Sequence, residues 1–225
     1  METPSTAYRS AFDRVAELVR SLDDELLNRI VPACPEWTVK QLVAHVTGVA
    51  SDSLHANITE MGRADWTQSQ VDARKDKSLE DILDEWAGTT EQIAAALDDL
   101  HPTLSSALIG DAVTHEHDLR NAVGNRDARD TDGVVISAGF YSRYFGKRLK
   151  DAGLPTLIVD AGEHQWTAGR EEPAGTVKAP LFEMLRGLTG RRTTDEVKAF
   201  DWSVDAAPYL ELFSMYPVTQ HSLNE

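Results

Sequence analysis

The first part of the chain carries apolar residues at helical spacing. Residues 7–29 place an apolar side chain every three or four positions, and residues 39–49 repeat this stripe after a Pro-Glu-Trp tripeptide. Thr38 and Gln41 have the spacing of a capping box, in which the side chain of each residue satisfies the backbone N–H of the other. The pattern therefore predicts two amphipathic helices, the second of which begins next to Thr38.

Two further helices are predicted downstream. Ser78 and Asp81 form another capping-box pattern before a third apolar stripe, and a fourth helix is predicted over 104–123, where Gly124 supplies a left-handed stop. Residues 58–77 are polar, and their length favours a functional connection over a tight turn. Four amphipathic helices with one long crossover predict a mainly α four-helix bundle in the N-terminal part.

A polar stretch from Gly124 to Gly133 lacks periodic apolar residues and is typical of a linker. We therefore predict two domains, a helical bundle over 1–128 and a smaller α+β domain over 132–225. The elements predicted in the second domain are a helix, three short strands and three more helices, over 134–151, 156–159, 165–167, 175–177, 179–188, 194–200 and 207–215.

Charge and composition narrow the classes of partner. The chain has 22 basic and 37 acidic residues, hence a formal net charge of −15, and residues 1–128 contribute −12 of it through 11 basic and 23 acidic residues. Nucleic-acid backbones and anionic membranes need a basic footprint, so neither is expected as the main partner. The single cysteine, Cys34, excludes an intrachain disulfide, and no apolar stretch approaches the ~20 residues of a membrane span. We expect a cytoplasmic protein without a signal peptide.

Three side chains of the bundle have the chemistry of a metal site. His45 lies on or beside the apolar stripe of the second helix, while Asp111 and His115 are within about 40° of each other on the fourth, with Asp118 on the same face. Two imidazoles and one carboxylate leave coordination positions open on one ion. Two alternatives stay open, a core histidine with satisfied ring nitrogens and an exposed acid–base helix face. His117 points about 200° away from His115, so we expect it to be exposed.

Three segments resemble one family, in the order that the family has them. Residues 34–48, CPEWTVKQLVAHVTG, resemble the N-terminal signature of the mycothiol-dependent maleylpyruvate isomerases, a branch of the DinB-like metal-binding bundles. Residues 111–124, DAVTHEHDLRNAVG, resemble the second signature, an acidic residue followed four positions later by His and then by Asp-Leu. Residues 179–192 are similar to the C-terminal half of these proteins. The resemblance implies a DinB-like bundle with an α+β C-terminal domain.

The resemblance also implies a metal-dependent enzyme. The family's ligands fall on His45, Asp111 and His115, with Asp111 at a position where the isomerases have the longer Glu. Zn²⁺ suits two imidazoles and a carboxylate best, with Ni²⁺, Fe²⁺ and Co²⁺ as alternatives. The implied cofactor is mycothiol in an actinobacterial protein, and the ion would hold this small thiol as a thiolate for addition to an electrophile. The implied activity is that of an isomerase or S-transferase, acting as a monomer or homodimer, and no residue is assigned to binding the thiol itself.

One arginine is implied in substrate binding. Arg74 resembles a family position where arginine recurs, which implies that it binds the anionic substrate; the alternative is a solvated surface arginine. The family also uses an arginine of the C-terminal domain, yet no arginine follows Arg192 in this chain. A non-catalytic metal- or thiol-binding or sensing protein on the same fold therefore stays an alternative, as does a purely structural polar face on the fourth helix. Cys34, Trp37 and Trp166 are expected to be structural.

Overall fold

In the computed structural model, which describes residues 2–225, contacts divide the chain into two compact units, Met1–Asp127 and Ala128–Glu225. The first unit is mainly helical, and the second combines helices with a four-stranded sheet. The predicted fold class, a mainly α four-helix bundle with a smaller α+β part, is confirmed. That the segments 1–128 and 132–225 fold as separate domains stays a prediction.

Six helices form within residues 2–127, and four of them are long enough to build the bundle. They are α1 (Pro4–Arg20), α2 (Asp24–Leu27), α3 (Val39–Leu54), α4 (Ala64–Asp72), α5 (Leu79–Leu97) and α6 (Pro102–Ala122). α1 and α3 each pack against both α5 and α6. The predicted capping boxes are confirmed, with Thr38 and Gln41 at the start of α3 and Ser78 and Asp81 at the start of α5. Gly124, just beyond α6, has a φ of +71°, as a left-handed stop requires.

The helix predicted over 7–29 is divided in two in the structure. α1 ends at Arg20, and the side chain of Asp23 accepts a hydrogen bond from the Leu26 backbone N–H at 2.9 Å, which starts α2. The apolar spacing continues across this break, which is why periodicity alone predicted one continuous helix.

The predicted polar connection over 58–77 contains a helix, α4, which packs against α3. Trp66, Gln70 and Val71 are its buried residues. An added Cβ on Gly48 of α3 would lie 2.4 Å from Cβ of Gln70, so a glycine is needed where the two helices approach. Three buried positions in a helix of 9 residues are too few to appear as an apolar stripe, which explains the missed prediction.

A short antiparallel pair of strands, which periodicity did not predict, precedes α3. β1 (Ile30–Val31) pairs with β2 (Cys34–Thr38), and β1 also contacts α6. This arrangement brings Sγ of Cys34 to 3.8 Å from Oδ2 of Asp118 on α6. Strands this short depend on tertiary contacts and not on local propensity, so the sequence pattern does not reveal them.

The second unit is an α+β fold. Its elements are α7 (Asp132–Asp151), β3 (Leu157–Asp160), β4 (Gln165–Ala168), β5 (Gly175–Lys178), α8 (Leu181–Leu188), α9 (Thr194–Lys198), β6 (Asp201–Trp202) and α10 (Leu210–Phe213). The sheet has the order β4-β3-β5-β6, in which β3 pairs antiparallel with β4 and parallel with β5. α7 packs against β4, where an added Cβ on Gly139 would lie 2.7 Å from Nε1 of Trp166. No helix formed by residues 2–225 combines the length and apolar character that crossing a membrane requires.

Candidate metal centre

The three predicted ligands meet where α3 packs against α6. His45 lies on α3 and is 4% exposed, and Asp111 and His115 are one turn apart on α6. One ligand atom from each residue lies within 4.8 Å of the other two. The i, i+4 spacing explains why Asp111 and His115 share a helix face, whereas the position of His45 depends on how the two helices pack. The structure therefore brings together all three residues that the sequence singled out as ligands.

A buried carboxylate orients the His115 ring. Its Nδ1 lies 3.0 Å from Oδ2 of Asp118, whose side chain is fully buried. Nε2 of the same ring lies 3.7 Å from Oδ1 of Asp111. Metal-binding histidines commonly donate one ring N–H to a carboxylate, which leaves the other nitrogen for the ion. Two ligands at about 2.1 Å from a tetrahedral ion are about 3.4 Å apart, so Nε2 and the Asp111 oxygen are close to the required spacing.

Aromatic contacts surround the His45 ring. The ring centroids of His45 and His115 are 5.2 Å apart, and their planes are nearly perpendicular, at 88°. The Trp37 ring lies 4.7 Å from the His45 ring, and its Nε1 donates a hydrogen bond to Oε1 of Gln68 at 3.1 Å. Trp37 therefore packs on α3, and the residue that it covers is a candidate ligand.

Cys34, which the sequence led us to expect as a packing residue, lies next to one of the candidate ligands. Ligand atoms of Cys34, His115 and Asp118 also lie within 4.8 Å of one another. In this second group the imidazole and the carboxylate are already hydrogen-bonded to each other, so the first group offers the better set of ligands. Sequence spacing could not place Cys34, because it reaches Asp118 through the short β1–β2 pair.

The surroundings of His115 favour positive charge. Burial lowers the pKa of His115, but hydrogen bonds with Asp118 and Cys34 and the negative charge of Asp111 raise it by more, to about 10. Without a bound cation the imidazole is therefore protonated at neutral pH. A metal ion and this proton compete for His115, so binding of a metal ion here would release the proton.

The structure places Arg74 inside the first unit, where the Glu85 carboxylate and a backbone carbonyl oxygen bind its guanidinium. The side chain is 8% exposed; Nε donates to Oε2 of Glu85 at 3.1 Å, Nη2 contacts the other carboxylate oxygen, and Nη1 donates to the carbonyl oxygen of Gln70 at 2.9 Å. Partial burial raises the pKa of Glu85, but hydrogen bonds from Arg74 and Lys77 lower it by more, below its ordinary value. The alternative of a solvated surface arginine is therefore wrong, while binding of an anionic substrate by Arg74 stays a prediction.

The expectation that His117 is exposed is wrong, because α6 is buried on nearly every side. His117 is 2% exposed and the neighbouring Glu116 is 0% exposed. Arg14 of α1 donates two hydrogen bonds to the Glu116 carboxylate, at 2.8 and 2.7 Å, and Arg120 donates another at 3.0 Å. A helical angle gives the direction of His117 relative to His115, but it does not show which other helices cover that direction.

Comparisons with known proteins point to one family. Two solved structures are similar in fold: a mycothiol-dependent maleylpyruvate isomerase, with a TM-score of 0.56, and a histidine-to-alanine mutant of the mycothiol-dependent maleylpyruvate isomerase, with a TM-score of 0.59. Each is 13% identical in sequence, over 93% of this chain and 98% of the other. No curated protein matches the sequence. The family model of the mycothiol maleylpyruvate isomerase N-terminal domain matches residues 8–131, more than half of the 225 residues. The chain therefore belongs to this family.

Proposed function

We propose that this protein is a metal- and mycothiol-dependent isomerase or S-transferase. In this proposal His45, Asp111 and His115 hold a divalent ion that activates a low-molecular-weight thiol for attack on a small electrophile. The observation that carries it is the convergence of two imidazoles and a carboxylate from α3 and α6, with ligand atoms within 4.8 Å of one another. Family membership supports the thiol, because the similar solved structures are mycothiol-dependent maleylpyruvate isomerases.

The donor set fits a divalent ion of borderline softness. Two neutral imidazoles and a carboxylate suit Zn²⁺ best, with Ni²⁺, Fe²⁺ and Co²⁺ as alternatives, and they leave a coordination position for a ligand from outside. When bound, such an ion lowers the pKa of a coordinating thiol, so that the thiolate is present at neutral pH. We therefore propose zinc as the resident ion.

The chain's own residues prepare the proposed site. Asp118 accepts the Nδ1 proton of His115 and so keeps Nε2 directed toward Asp111. Trp37 covers the His45 ring and restricts its rotation. The Asp111 side chain is 21% exposed, so the proposed site is in contact with solvent. Ligands that are oriented before binding lose less conformational freedom when the ion and the thiol arrive.

The nucleophilic sulfur is expected to come from a small molecule. Cys34 is the single cysteine of the chain, and its Sγ lies 3.8 Å from Oδ2 of Asp118, outside the proposed ligand set. In this proposal a free cofactor thiol such as mycothiol supplies the nucleophilic sulfur, and Cys34 stays beside Asp118.

A second candidate function is binding of metal or thiol without turnover. The observation that favours it is the pairing of Arg74 with Glu85, because this contact already uses the cation expected to bind an anionic substrate. The two candidates share the metal site and differ in what happens to the electrophile.

Mycothiol-dependent turnover distinguishes the two candidates. Zinc-loaded protein would be assayed with and without mycothiol on maleylpyruvate and on a panel of small electrophiles. An enzyme predicts a product that requires both metal and thiol, and a rate that falls by more than about 100-fold in His45→Ala. A binding protein predicts saturable thiol binding without product.

The matched control is His55→Ala, which removes an exposed histidine from the C-terminal end of the same helix. It should retain wild-type thiol binding and turnover. Equal turnover by His45→Ala and His55→Ala would contradict the enzyme proposal, and absence of both binding and turnover in the wild type would contradict both candidates.

A further inference from the structure

Two buried arginines of the second unit share one carboxylate. Arg186, in the last turn of α8, is 0% exposed, Arg192 is 6% exposed, and the side chain of Glu225 is 1% exposed. Oε2 of Glu225 accepts hydrogen bonds from Nε of Arg186 at 2.8 Å and from Nη1 of Arg192 at 2.7 Å, while Oε1 contacts Nη2 of Arg186. Guanidinium groups that converge in this way recognise a carboxylate by geometry as well as by charge.

Other side chains complete the surroundings of this pair. Glu183 accepts hydrogen bonds from the remaining nitrogens of Arg192, at 2.6 and 3.0 Å. The Phe182 ring centroid lies 5.9 and 6.0 Å from the guanidinium carbons of Arg186 and Arg192. The ring stabilises planar cations and offers apolar surface next to the carboxylate-binding groups. Because both arginines are buried, they strongly favour an anionic partner at this position.

Glu225 reaches the arginines from a segment with little structure of its own. Residues 214–225 form no helix or strand. The backbone N–H groups of Met215 and Thr219 hold the first half of the segment to the carbonyl oxygens of Leu188 and Gly190, both at 2.9 Å, whereas residues 220–222 and 224 are exposed. Several hydrogen bonds of this segment join residues only two positions apart, and Ser222 Oγ donates to Glu196 at 2.7 Å from an exposed position. Segments of this kind open locally at small cost in free energy. The buried carboxylate is thus delivered by a side chain whose neighbours are largely in solvent.

We propose that Arg186 and Arg192 form a binding pocket for a small carboxylate anion, which the Glu225 side chain occupies in this structure and leaves when residues 220–225 move away. None of these residues belongs to the candidate metal centre, and the proposal does not rest on the proposed function. A free carboxylate offers the same two oxygens to the same donors as Glu225 and competes with it. Because Glu225 is tethered, its effective concentration is high, and a free anion binds weakly until this side chain withdraws.

Removal of the Glu225 carboxylate tests the competition. Full-length Glu225→Ala would be titrated with propionate, which has the carboxylate and methylene of a glutamate side chain, and with propionamide, its neutral counterpart. We expect propionate to bind Glu225→Ala at least about tenfold more tightly than the wild type and to raise its Tm, and propionamide to do neither. Glu172→Ala removes a carboxylate from an exposed position of the same unit and should bind propionate like the wild type.

A second substitution identifies the pocket. Arg192→Gln in the Glu225→Ala background should abolish propionate binding, whereas Arg170→Gln, at an exposed position, should leave it unchanged. Propionate binding that persists with Arg192→Gln, or equal affinity of Glu225→Ala and the wild type, would overturn the proposal.

Hydrogen–deuterium exchange of the wild type gives a test that does not depend on the folding of any variant. Propionate at increasing concentration should accelerate exchange of residues 220–225, because it takes the place of Glu225, and propionamide should not. Exchange that stays unchanged with both compounds would mean that the Glu225 contacts only anchor this segment, and the proposal would be wrong.

Discussion

Each of the two units buries a cluster of charged groups. The clusters differ in where the charge that neutralises them comes from. Between α3 and α6, His45, Asp111 and His115 converge in surroundings that favour an added positive charge. In the second unit, Arg186 and Arg192 bring positive charge together, and Glu225 of the same chain supplies the carboxylate. In the proposals made above, the first cluster takes a cation from outside, whereas the second holds an outside anion only in competition with the chain.

The largest expected effect short of removing a ligand comes from Asp118→Asn, which tests whether the first cluster is built for a metal. An amide oxygen accepts the Nδ1 proton of His115 more weakly than a carboxylate does, and the amide NH₂ can face Nδ1 instead, so the tautomer with Nε2 available is less favoured. We therefore expect the affinity for Zn²⁺ to fall about 10–100-fold. Competition with a chelator of known affinity measures this change.

Glu116→Gln is the control for Asp118→Asn, because it changes another fully buried carboxylate of α6, one that pairs with Arg14. It should lower stability and leave the affinity for Zn²⁺ unchanged. If both variants bound Zn²⁺ with wild-type affinity, Asp118 would have no role in positioning His115.

Arg74→Gln sharpens the comparison, because Arg74 was expected to meet a ligand and is instead paired by the chain. The partly buried Glu85 would lose a bidentate partner and keep the hydrogen bond from Lys77. We expect the free energy of unfolding to fall by about 1–3 kcal/mol. Urea denaturation measures this loss, and an unchanged midpoint, together with a large loss of turnover, would assign Arg74 to substrate and not to stability.

The free energy of unfolding should depend on pH through the first cluster and not through the second, and we expect this effect to be smaller than the preceding ones. In the metal-free folded protein the pKa of His115 is about 10, above its ordinary value of 6.5. The protonated imidazole therefore stabilises the folded state fully below pH 6.5, and this stabilisation is lost as the pH rises through 10. Burial lowers the pKa of Arg192, but hydrogen bonds with Glu183 and Glu225 raise it above its ordinary value, so its contribution persists over this range.

Metal-free protein should therefore become less stable between pH 6.5 and pH 10, and His115→Gln should flatten this part of the curve. Thermal unfolding of both proteins in the presence of a chelator checks the difference. The same slope for the wild type and for His115→Gln would contradict the assignment.

The parts of the fold that depend on local interactions could be predicted from the sequence. The capping boxes at Thr38 and Ser78 require only a side chain and a backbone N–H three residues apart, and both begin helices. The shared face of Asp111 and His115 follows from helical geometry in the same way. Periodicity made His45 a candidate ligand but left its distance from α6 open, so the expectation that it converges with Asp111 and His115 depended on the family signature.

Contacts that depend on tertiary packing could not be predicted. Cys34 reaches Asp118 through a strand pair in which β1 has only 2 residues. Glu225 meets Arg186 across 39 residues without a recognisable motif. His117 is buried even though α6 carries many polar residues. Such a helix has no apolar stripe, so its sequence does not indicate which side faces solvent.

The metal content of the ligand variants tests the central claim most directly. Wild type, His45→Ala, His115→Ala and the exposed control His55→Ala would be stripped with a chelator, equilibrated with Zn²⁺, freed of excess metal and measured by elemental analysis. We predict about one ion per chain in the wild type and in His55→Ala, and none in the other two variants. Equal zinc content in all four proteins would contradict a metal site at His45, Asp111 and His115.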